Sequence, residues 1–195
     1  MTIQGYSLNY LSFQNISAAK RLSDEFVGSG MYSEEVLRSI LSRPNHFFCL
    51  LMDGNEPIGF FYCYVCTISE AASGLKLPKA AISEIAGINV ENIGIFKSIG
   101  ISPVYRSKGL AGDLIRYFER TLFDLFPITA ILVPTWKQGD TVPAKNPLDR
   151  EGFRYLCDTD DVWHDVTTLR CPVCGQKRCV CKAAIYYKKR GIPNG

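Results

Sequence analysis

The segment Arg106-Ser107-Lys108-Gly109-Leu110-Ala111 places two cations and several small residues just ahead of a strongly periodic apolar stretch. A loop that opens directly onto a helix presents unpaired backbone N–H groups and the positive end of the helix dipole, and both suit a phosphate or pyrophosphate. Small residues such as Gly109 and Ala111 let a ligand approach the backbone closely. The segment therefore predicts an anion-binding loop.

Four cysteines fall within eleven residues near the C-terminus, at Cys171, Cys174, Cys179 and Cys181. The first pair stands in a Cys-Pro-x-Cys-Gly sequence that resembles a zinc knuckle, and zinc binds such thiolates tetrahedrally. The second pair is separated by one residue instead of two, which leaves the exact ligand set open, with His164 as a reserve ligand. Disulfides or free thiols are the alternatives to zinc. Four sulfur ligands leave no open coordination position, so we expect a structural zinc.

The anion-binding loop lies between clearly predicted elements. Isoleucines at 93, 95, 99 and 101 predict a mostly buried strand over 93–101. Apolar residues at three- and four-residue spacing predict a helix from Leu110 to Phe126, which Pro127 stops. A short apolar run at 128–133 predicts another strand. Strand, helix and strand in this order imply a parallel crossover.

Elsewhere the sequence predicts helices over 17–27 and 33–41, a β-hairpin from 47–52 and 58–65, and a last strand over 182–188. Ser33 is a suitable N-cap for the second helix, and Asp-Gly-Asn-Glu-Pro supplies turn chemistry between the hairpin strands. Residues 69–92 show no sustained period, so we expect an insertion with one short helix.

The stretch from Ile99 to Ala111 resembles the coenzyme A signature of the GNAT superfamily of N-acetyltransferases. In that signature a strand ends in a Val/Ile-x-Pro element and is followed by Arg/Gln-x-x-Gly-x-Gly/Ala. Arg106, Gly109 and Ala111 occupy its three defining positions. The order of the predicted elements and the Gly152-Phe153 pair also resemble the family.

The resemblance implies an α/β fold in which a mixed, splayed β-sheet is flanked by helices. It implies a single GNAT-like acetyltransferase domain over residues 1–195. Residues 171–181 would then form a zinc-binding loop inserted before the last strand.

The resemblance also implies acetyl-CoA as cosubstrate and an amine of an unknown small molecule or protein as acceptor. The pantetheine arm would lie between the signature strand and the strand at 128–133, and a backbone N–H of the signature strand would polarise the thioester carbonyl. The residues expected to bind the cosubstrate are Ile99, Gly100, Ile101, Arg106, Ser107, Lys108, Gly109, Leu110, Ala111 and Asn146.

No catalytic residue is identified in this way. Leu148 stands where many GNAT enzymes have a tyrosine that protonates the departing thiolate, and the signature strand contains Lys97 and no glutamate. Glu84 and Glu91, just upstream, are candidate general bases, and Tyr155 is a candidate acid. For each of these the alternative is an exposed carboxylate or a packed tyrosine without a catalytic role.

The composition is that of a globular protein, because 47% apolar and 21% charged residues are too apolar for a largely disordered chain. No basic stretch followed by an apolar core opens the chain, and the longest apolar runs fall short of the roughly 18 residues that a membrane span needs. We therefore expect a cytoplasmic monomer or homodimer with no membrane partner. Its eight cysteines are then expected to be reduced or metal-bound.

Seven basic residues and no acidic ones lie between Val166 and Gly195. Such a cluster is most often a solvated surface. It also allows a second hypothesis, a non-catalytic GNAT-like binding module whose zinc-stapled basic C-terminus contacts nucleic acid or an acidic partner. Nucleic acid is the less favoured partner, because no aromatic-rich RNA motif accompanies the basic residues.

Overall fold

The computed structural model describes residues 2–191 of the 195-residue chain. These residues form eight strands, β1 (Thr2–Ile3), β2 (Tyr6–Tyr10), β3 (His46–Asp53), β4 (Glu56–Thr67), β5 (Asn92–Ile101), β6 (Ala130–Trp136), β7 (Arg154–Thr159) and β8 (Ala183–Lys189). They also form six α-helices, α1 (Ile16–Phe26), α2 (Glu34–Leu41), α3 (Ile68–Leu75), α4 (Lys79–Ala86), α5 (Leu110–Leu125) and α6 (Lys145–Arg150). Within this range no helix has both the length and the apolar character needed to cross a membrane.

All eight strands of the described range join one sheet, in the order β1-β2-β3-β4-β5-β6-β8-β7. Neighbouring strands are antiparallel except β5 and β6, which are parallel and connected through α5. Their pairing consists of Gly94 with Ile131 and Ile95 with Leu132. Beyond these pairs the two strands diverge, which confirms the expected mixed, splayed sheet and opens a gap between them.

Two adjacent phenylalanines in β4 show how the sheet divides the core. Successive strand residues point to opposite faces. Phe60 stacks on Phe48 with ring centroids 5.2 Å apart, whereas Phe61 stacks on Phe118 of α5 at 4.6 Å. Helices α1 to α4 cover the first face, and α5 covers the second together with α6. Burial of apolar side chains on both faces stabilises one α/β domain.

The segment between β4 and β5 differs from the sequence prediction, because it contains two helices instead of one. Thr67 and Glu70 form a capping box at the start of α3, where the Glu70 carboxylate accepts the Thr67 backbone N–H at 2.8 Å. Lys76 ends α3 in the left-handed conformation, and Pro78 precedes α4. Small residues on both helices concealed the helical period. The other predicted helices and strands are confirmed, with ends shifted by a few residues.

Candidate functional site

The loop between β5 and α5 leaves a run of backbone amides free. Gly109, whose φ is +83°, is the N-cap from which α5 begins. Across residues 2–191, the backbone N–H groups from Ser107 to Gly112 find no hydrogen-bond acceptor. The first amide of this helix to be paired is that of Asp113, which donates to the Gly109 carbonyl at 3.1 Å. The N-terminus of α5 therefore has the donors and the dipole that favour an anion.

The side chains around this loop hold its shape. The Arg106 Nε donates a hydrogen bond of 2.9 Å to the Ile101 carbonyl, which fastens the loop to the end of β5. The Lys108 Nζ lies 4.8 Å from the centre of the Tyr105 ring. Gln4 donates from its side-chain amide to the Lys108 carbonyl at 3.1 Å. Sequence reasoning missed Gln4, since it is more than one hundred residues away along the chain.

A cavity of about 240 Å³ lies where β5 and β6 diverge. Ala111 and Ile115, in the first two turns of α5, line the end next to the free amides. Residues 96–99 of β5 and 133–136 of β6 form its sides. The cavity therefore adjoins the anion-binding loop at Ala111.

The far end of the cavity is built by two segments that are distant in sequence. Val27 and Met31, from the connection between α1 and α2, line one side, and Pro172 and Val173, from the cysteine segment, line another. Trp163 also lines this end. These side chains make the far end of the cavity apolar.

The charge inside the cavity comes from one side chain. Of its lining residues in the described chain, Lys97 is the only one that carries a titratable group. Burial lowers the pKa of the Lys97 amine. The indole Nε1 of Trp136, another lining residue, is buried and finds no hydrogen-bond acceptor within residues 2–191. A ligand with an acceptor atom could relieve the cost of that unpaired donor.

The expected cosubstrate residues are only partly brought together. Ile99 and Ala111 line the cavity, and residues 106–110 form the adjoining loop. Gly100, Ile101 and Asn146 do not line it. Asn146 is exposed on α6, whose Pro147 and Leu148 face the cavity instead.

The three candidate catalytic residues lie outside the cavity lining. Glu84 on α4 and Glu91 before β5 are exposed. Tyr155 on β7 is 54% exposed, and its hydroxyl donates to the Asp158 carboxylate at 3.0 Å. In the observed geometry, none of these three residues would therefore contact a ligand bound in the cavity.

The four C-terminal cysteines converge on one point. The Sγ atoms of Cys171, Cys174, Cys179 and Cys181 all lie within 4.8 Å of one another, and those of Cys171 and Cys181 are 3.7 Å apart. Burial raises the pKa of Cys174, but hydrogen bonds from the backbone amides of Gln176 and Val180, together with those from the Cys171 and Cys181 thiols, outweigh it and bring the pKa to about 7. The arrangement suits a metal that binds thiolates.

The reserve ligand, His164, is not part of this cluster. Its Nδ1 lies 3.5 Å from the Asp165 carboxylate. The remaining cysteines of the chain are also separate, and Cys63 is fully buried in the core. The sequence spacing therefore identified the cluster as it is observed.

The basic C-terminal residues partly face the protein's own acidic groups. Lys188 forms an ion pair of 2.7 Å with Glu119 on α5, and Lys182 lies 3.8 Å from Asp160. The Arg190 guanidinium lies 5.7 Å from the centre of the Phe123 ring. Part of the basic segment is thus engaged on the protein surface. The predicted basic tail also includes residues 192–195, which lie outside the described residues.

Comparison with solved structures identifies the class of fold. Neither a protein-family model nor a curated protein sequence matches this chain. Among solved structures the fold is GNAT-like, and one similar structure is an acetyltransferase of the GNAT family from Streptococcus pneumoniae, with 11% identity, TM-score 0.59, and coverage of 95% of this chain and 99% of that one.

Two other acetyltransferases are more similar in structure. Arabidopsis thaliana NAA60 in complex with a bisubstrate analogue has a TM-score of 0.71 at 13% identity, covering 94% of this chain and 97% of that one. The complex of NAA60 with acetyl-CoA has a TM-score of 0.69 at 14% identity, covering 97% of this chain and 99% of that one. The ribosomal-protein-S18-alanine N-acetyltransferase from Escherichia coli gives 0.61 at 12% identity, covering 97% of both chains. At such identities the likeness establishes the fold alone.

Proposed function

We propose that this protein transfers the acetyl group of acetyl-CoA to an amine. The observation that carries the proposal is that Ala111 belongs both to the run of free amides at the start of α5 and to the lining of the cavity between β5 and β6. Acetyl-CoA has a pyrophosphate at one end of a long arm and a thioester at the other. The GNAT-like fold supports the same assignment, since an acetyl-CoA complex is among the similar structures.

The pyrophosphate would bind at the N-terminus of α5. Unpaired amides from Ser107 to Gly112 can donate to its oxygens, and the helix dipole favours its negative charge. Lys108 adds a cation at the exposed rim of the loop. Arg106 holds the loop against the Ile101 carbonyl, so its main role in the proposal is to fix the loop conformation.

The pantetheine arm would lie between β5 and β6, where the edge of β5 beyond Ile95 has no parallel partner. Backbone N–H groups on this edge, near Ile99, can donate to the thioester carbonyl. An amine nitrogen then attacks the carbonyl carbon, and a backbone N–H stabilises the negative charge that develops on oxygen. The C–S bond breaks and the proton that the nitrogen loses passes to the departing sulfur, so the products are an N-acetylated amine and coenzyme A.

The lining of the cavity favours an acceptor amine next to an apolar group. Val27, Met31, Pro172 and Val173 are apolar, and no carboxylate of the described chain lines the cavity. The Lys97 amine, when protonated, repels a second positive charge in so confined a space. We therefore expect an amine beside an apolar side chain to be preferred over a polyamine.

The four cysteines fit a structural zinc ion. A tetrahedral Zn²⁺ with Zn–S bonds of about 2.3 Å holds its sulfurs about 3.8 Å apart, which agrees with the 3.7 Å between Cys171 and Cys181. Four thiolates fill the coordination shell, so the ion would take no direct part in acetyl transfer. When bound, it would hold Pro172 and Val173 in place at the far end of the cavity.

Two measurements on the zinc-loaded protein test the proposal. Titration calorimetry with acetyl-CoA should show saturable binding. Thiol release from acetyl-CoA should then rise with peptides whose N-terminal residue is methionine or leucine, and less with spermidine. Absence of binding would overturn the cosubstrate assignment, and binding without thiol release for any amine would overturn the transferase. Tight, salt-dependent binding of RNA without thiol release would support the binding-module alternative.

A further inference from the structure

Lys97 stands at an irregularity in β5. In the pairing of β4 with β5, Tyr62 faces Ser98 and Cys63 faces Phe96, so Lys97 is the extra residue of a β-bulge. Bulges redirect a side chain and are frequent beside active sites. This one follows directly after Ile95, where the pairing of β5 with β6 ends. It therefore places Lys97 at the mouth of the gap between the two strands.

The environment of Lys97 makes its amine unusual. It lines the cavity and, within residues 2–191, forms neither an ion pair nor a hydrogen bond. Its burial lowers the pKa of the amine because the charged form loses hydration. A larger fraction of the amine is then neutral near pH 7, and the neutral amine is the nucleophilic form.

The other nucleophilic side chains near the cavity are engaged in hydrogen bonds or lie outside its lining. The neighbouring Ser98 hydroxyl is 2.6 Å from the Tyr32 hydroxyl and is engaged with it. On the opposite side, the Thr135 hydroxyl of β6 donates to the Ala184 carbonyl at 3.0 Å. No cysteine thiol lines the cavity within the described chain. Lys97 is therefore the nucleophile that an acyl donor in the gap between β5 and β6 would meet.

We propose that Lys97 is itself an acetyl acceptor, so that the protein acetylates its own cavity when acetyl-CoA is bound. The lone pair of the neutral Nζ attacks the thioester carbonyl carbon, and the C–S bond breaks. The proton that Nζ loses passes to the departing sulfur, so the products are Nζ-acetyl-lysine and coenzyme A. This inference rests on the proposed acetyl-CoA site.

Acetylation would change the cavity in two ways. It removes the one titratable group from the lining, and it adds an acyl group to a wall of a cavity of about 240 Å³. The added group occupies space that an external acceptor needs. The modified protein should therefore turn over an external amine more slowly than the unmodified protein.

Mass spectrometry of the intact protein and its peptides tests the inference without any knowledge of the acceptor. The zinc-loaded protein is incubated with acetyl-CoA, and acetylation is followed at Lys97 and at the exposed Lys79 on α4. Because binding raises the local thioester concentration, Lys97 should react at least about tenfold faster than Lys79. Excess coenzyme A should suppress the reaction at Lys97 and leave that at Lys79 unchanged.

Variants and a binding measurement separate the possible results. Lys97→Arg, or Lys97→Met if the arginine variant does not fold, should lose the fast reaction, whereas Lys79→Arg should keep it. If calorimetry shows acetyl-CoA binding but Lys97 reacts no faster than Lys79, self-acetylation is wrong and the proposed function stands. If acetyl-CoA does not bind, the proposed function and this inference both fail.

Discussion

The Thr168 hydroxyl donates a hydrogen bond of 2.7 Å to the backbone carbonyl of Gly30. Next to it, the Arg170 backbone N–H donates to the Ser29 carbonyl, also at 2.7 Å. These contacts join the connection between α1 and α2 to the segment that leads into the cysteine cluster. Both segments line the far end of the cavity, through Met31 on one side and Pro172 on the other. The cavity shape therefore depends on their junction.

Substitution of Gly30 by alanine should disrupt this junction. Gly30 has a φ of +80°, and a Cβ at this position would overlap the Thr168 carbonyl. We expect Gly30→Ala to lower the free energy of unfolding by at least ~2 kcal/mol, because backbone strain and a steric clash add. Urea unfolding followed by circular dichroism measures the change.

Gly74→Ala is the matched control. Gly74 lies in α3, and a Cβ there meets no atom within 4 Å. Alanine favours a helix over glycine by up to about 1 kcal/mol, so this variant should be equally stable or more stable. Similar losses in both variants would contradict the importance of the junction at Gly30.

Substitution of one cysteine of the cluster should lower both the zinc content and the melting temperature of the protein. We expect the wild-type protein to hold one zinc ion per chain by elemental analysis, and Cys174→Ser to hold much less. Because metal binding contributes to folding, the melting temperature should fall by about 5 °C or more. Cys157→Ser, on β7 outside the cluster, makes the same chemical change and should retain the metal. Full zinc content in Cys174→Ser would show that the site has another composition.

The anion-binding loop can be tested through Gly109. Its left-handed φ of +83° suits glycine, and alanine there costs about 1 kcal/mol or displaces the adjacent amides. We expect Gly109→Ala to weaken acetyl-CoA binding by about tenfold in calorimetry. Gly54→Ala, in the β3–β4 turn, imposes a similar backbone strain with open space around it and should leave binding unchanged. Equal affinity in the two variants would place the cosubstrate elsewhere.

The stability of the fold should depend on pH through His46. Burial, and then the positive charge of Arg43, lowers the His46 pKa from 6.5 to about 4. The imidazole of His46 therefore binds a proton more readily in the unfolded chain than in the folded protein. The contribution of neutral His46 to the free energy of unfolding is fully present above pH 6.5 and is lost as the pH falls toward 4. The ring lies 2.7 Å from the Tyr62 hydroxyl and stacks on Tyr64. Glu70 is the other nearby charge, and it raises the pKa.

Urea unfolding at pH 7 and pH 5 measures this dependence. His46 is half-buried, so solvent screening reduces the effect to about 1 kcal/mol. From pH 7 to pH 5, the free energy of unfolding should fall by about 1 kcal/mol less in His46→Gln than in the wild type. The other groups titrate equally in both proteins. An equal loss in both would rule out a contribution from His46.

Local patterns were sufficient to predict much of the fold. The spacing of apolar residues predicted α5, and the small and basic residues ahead of it predicted the loop at its N-terminus. The four cysteines are close in sequence, so their convergence also needed little long-range information. By contrast, α3 depends on the capping pair Thr67 and Glu70, and small residues such as Ala71 concealed its period.

The candidate site was predicted only at its cosubstrate end. Pro172 and Val173 reach the cavity because the cysteine segment packs against the connection after α1, a contact between residues more than one hundred positions apart. No local pattern encodes such a contact. The bulge that places Lys97 is likewise set by its pairing with β4, which the sequence of β5 alone does not reveal.

The position of β8 has a consequence for synthesis of the protein. β8 is the last strand of residues 2–191, yet it lies between β6 and β7 and pairs with both. Until β8 has been synthesised and has docked, the facing edges of those two strands are unpaired. A nascent chain that stalls at this stage exposes open strand edges, which invite aggregation. Completion of this half of the sheet must therefore await synthesis and docking of β8.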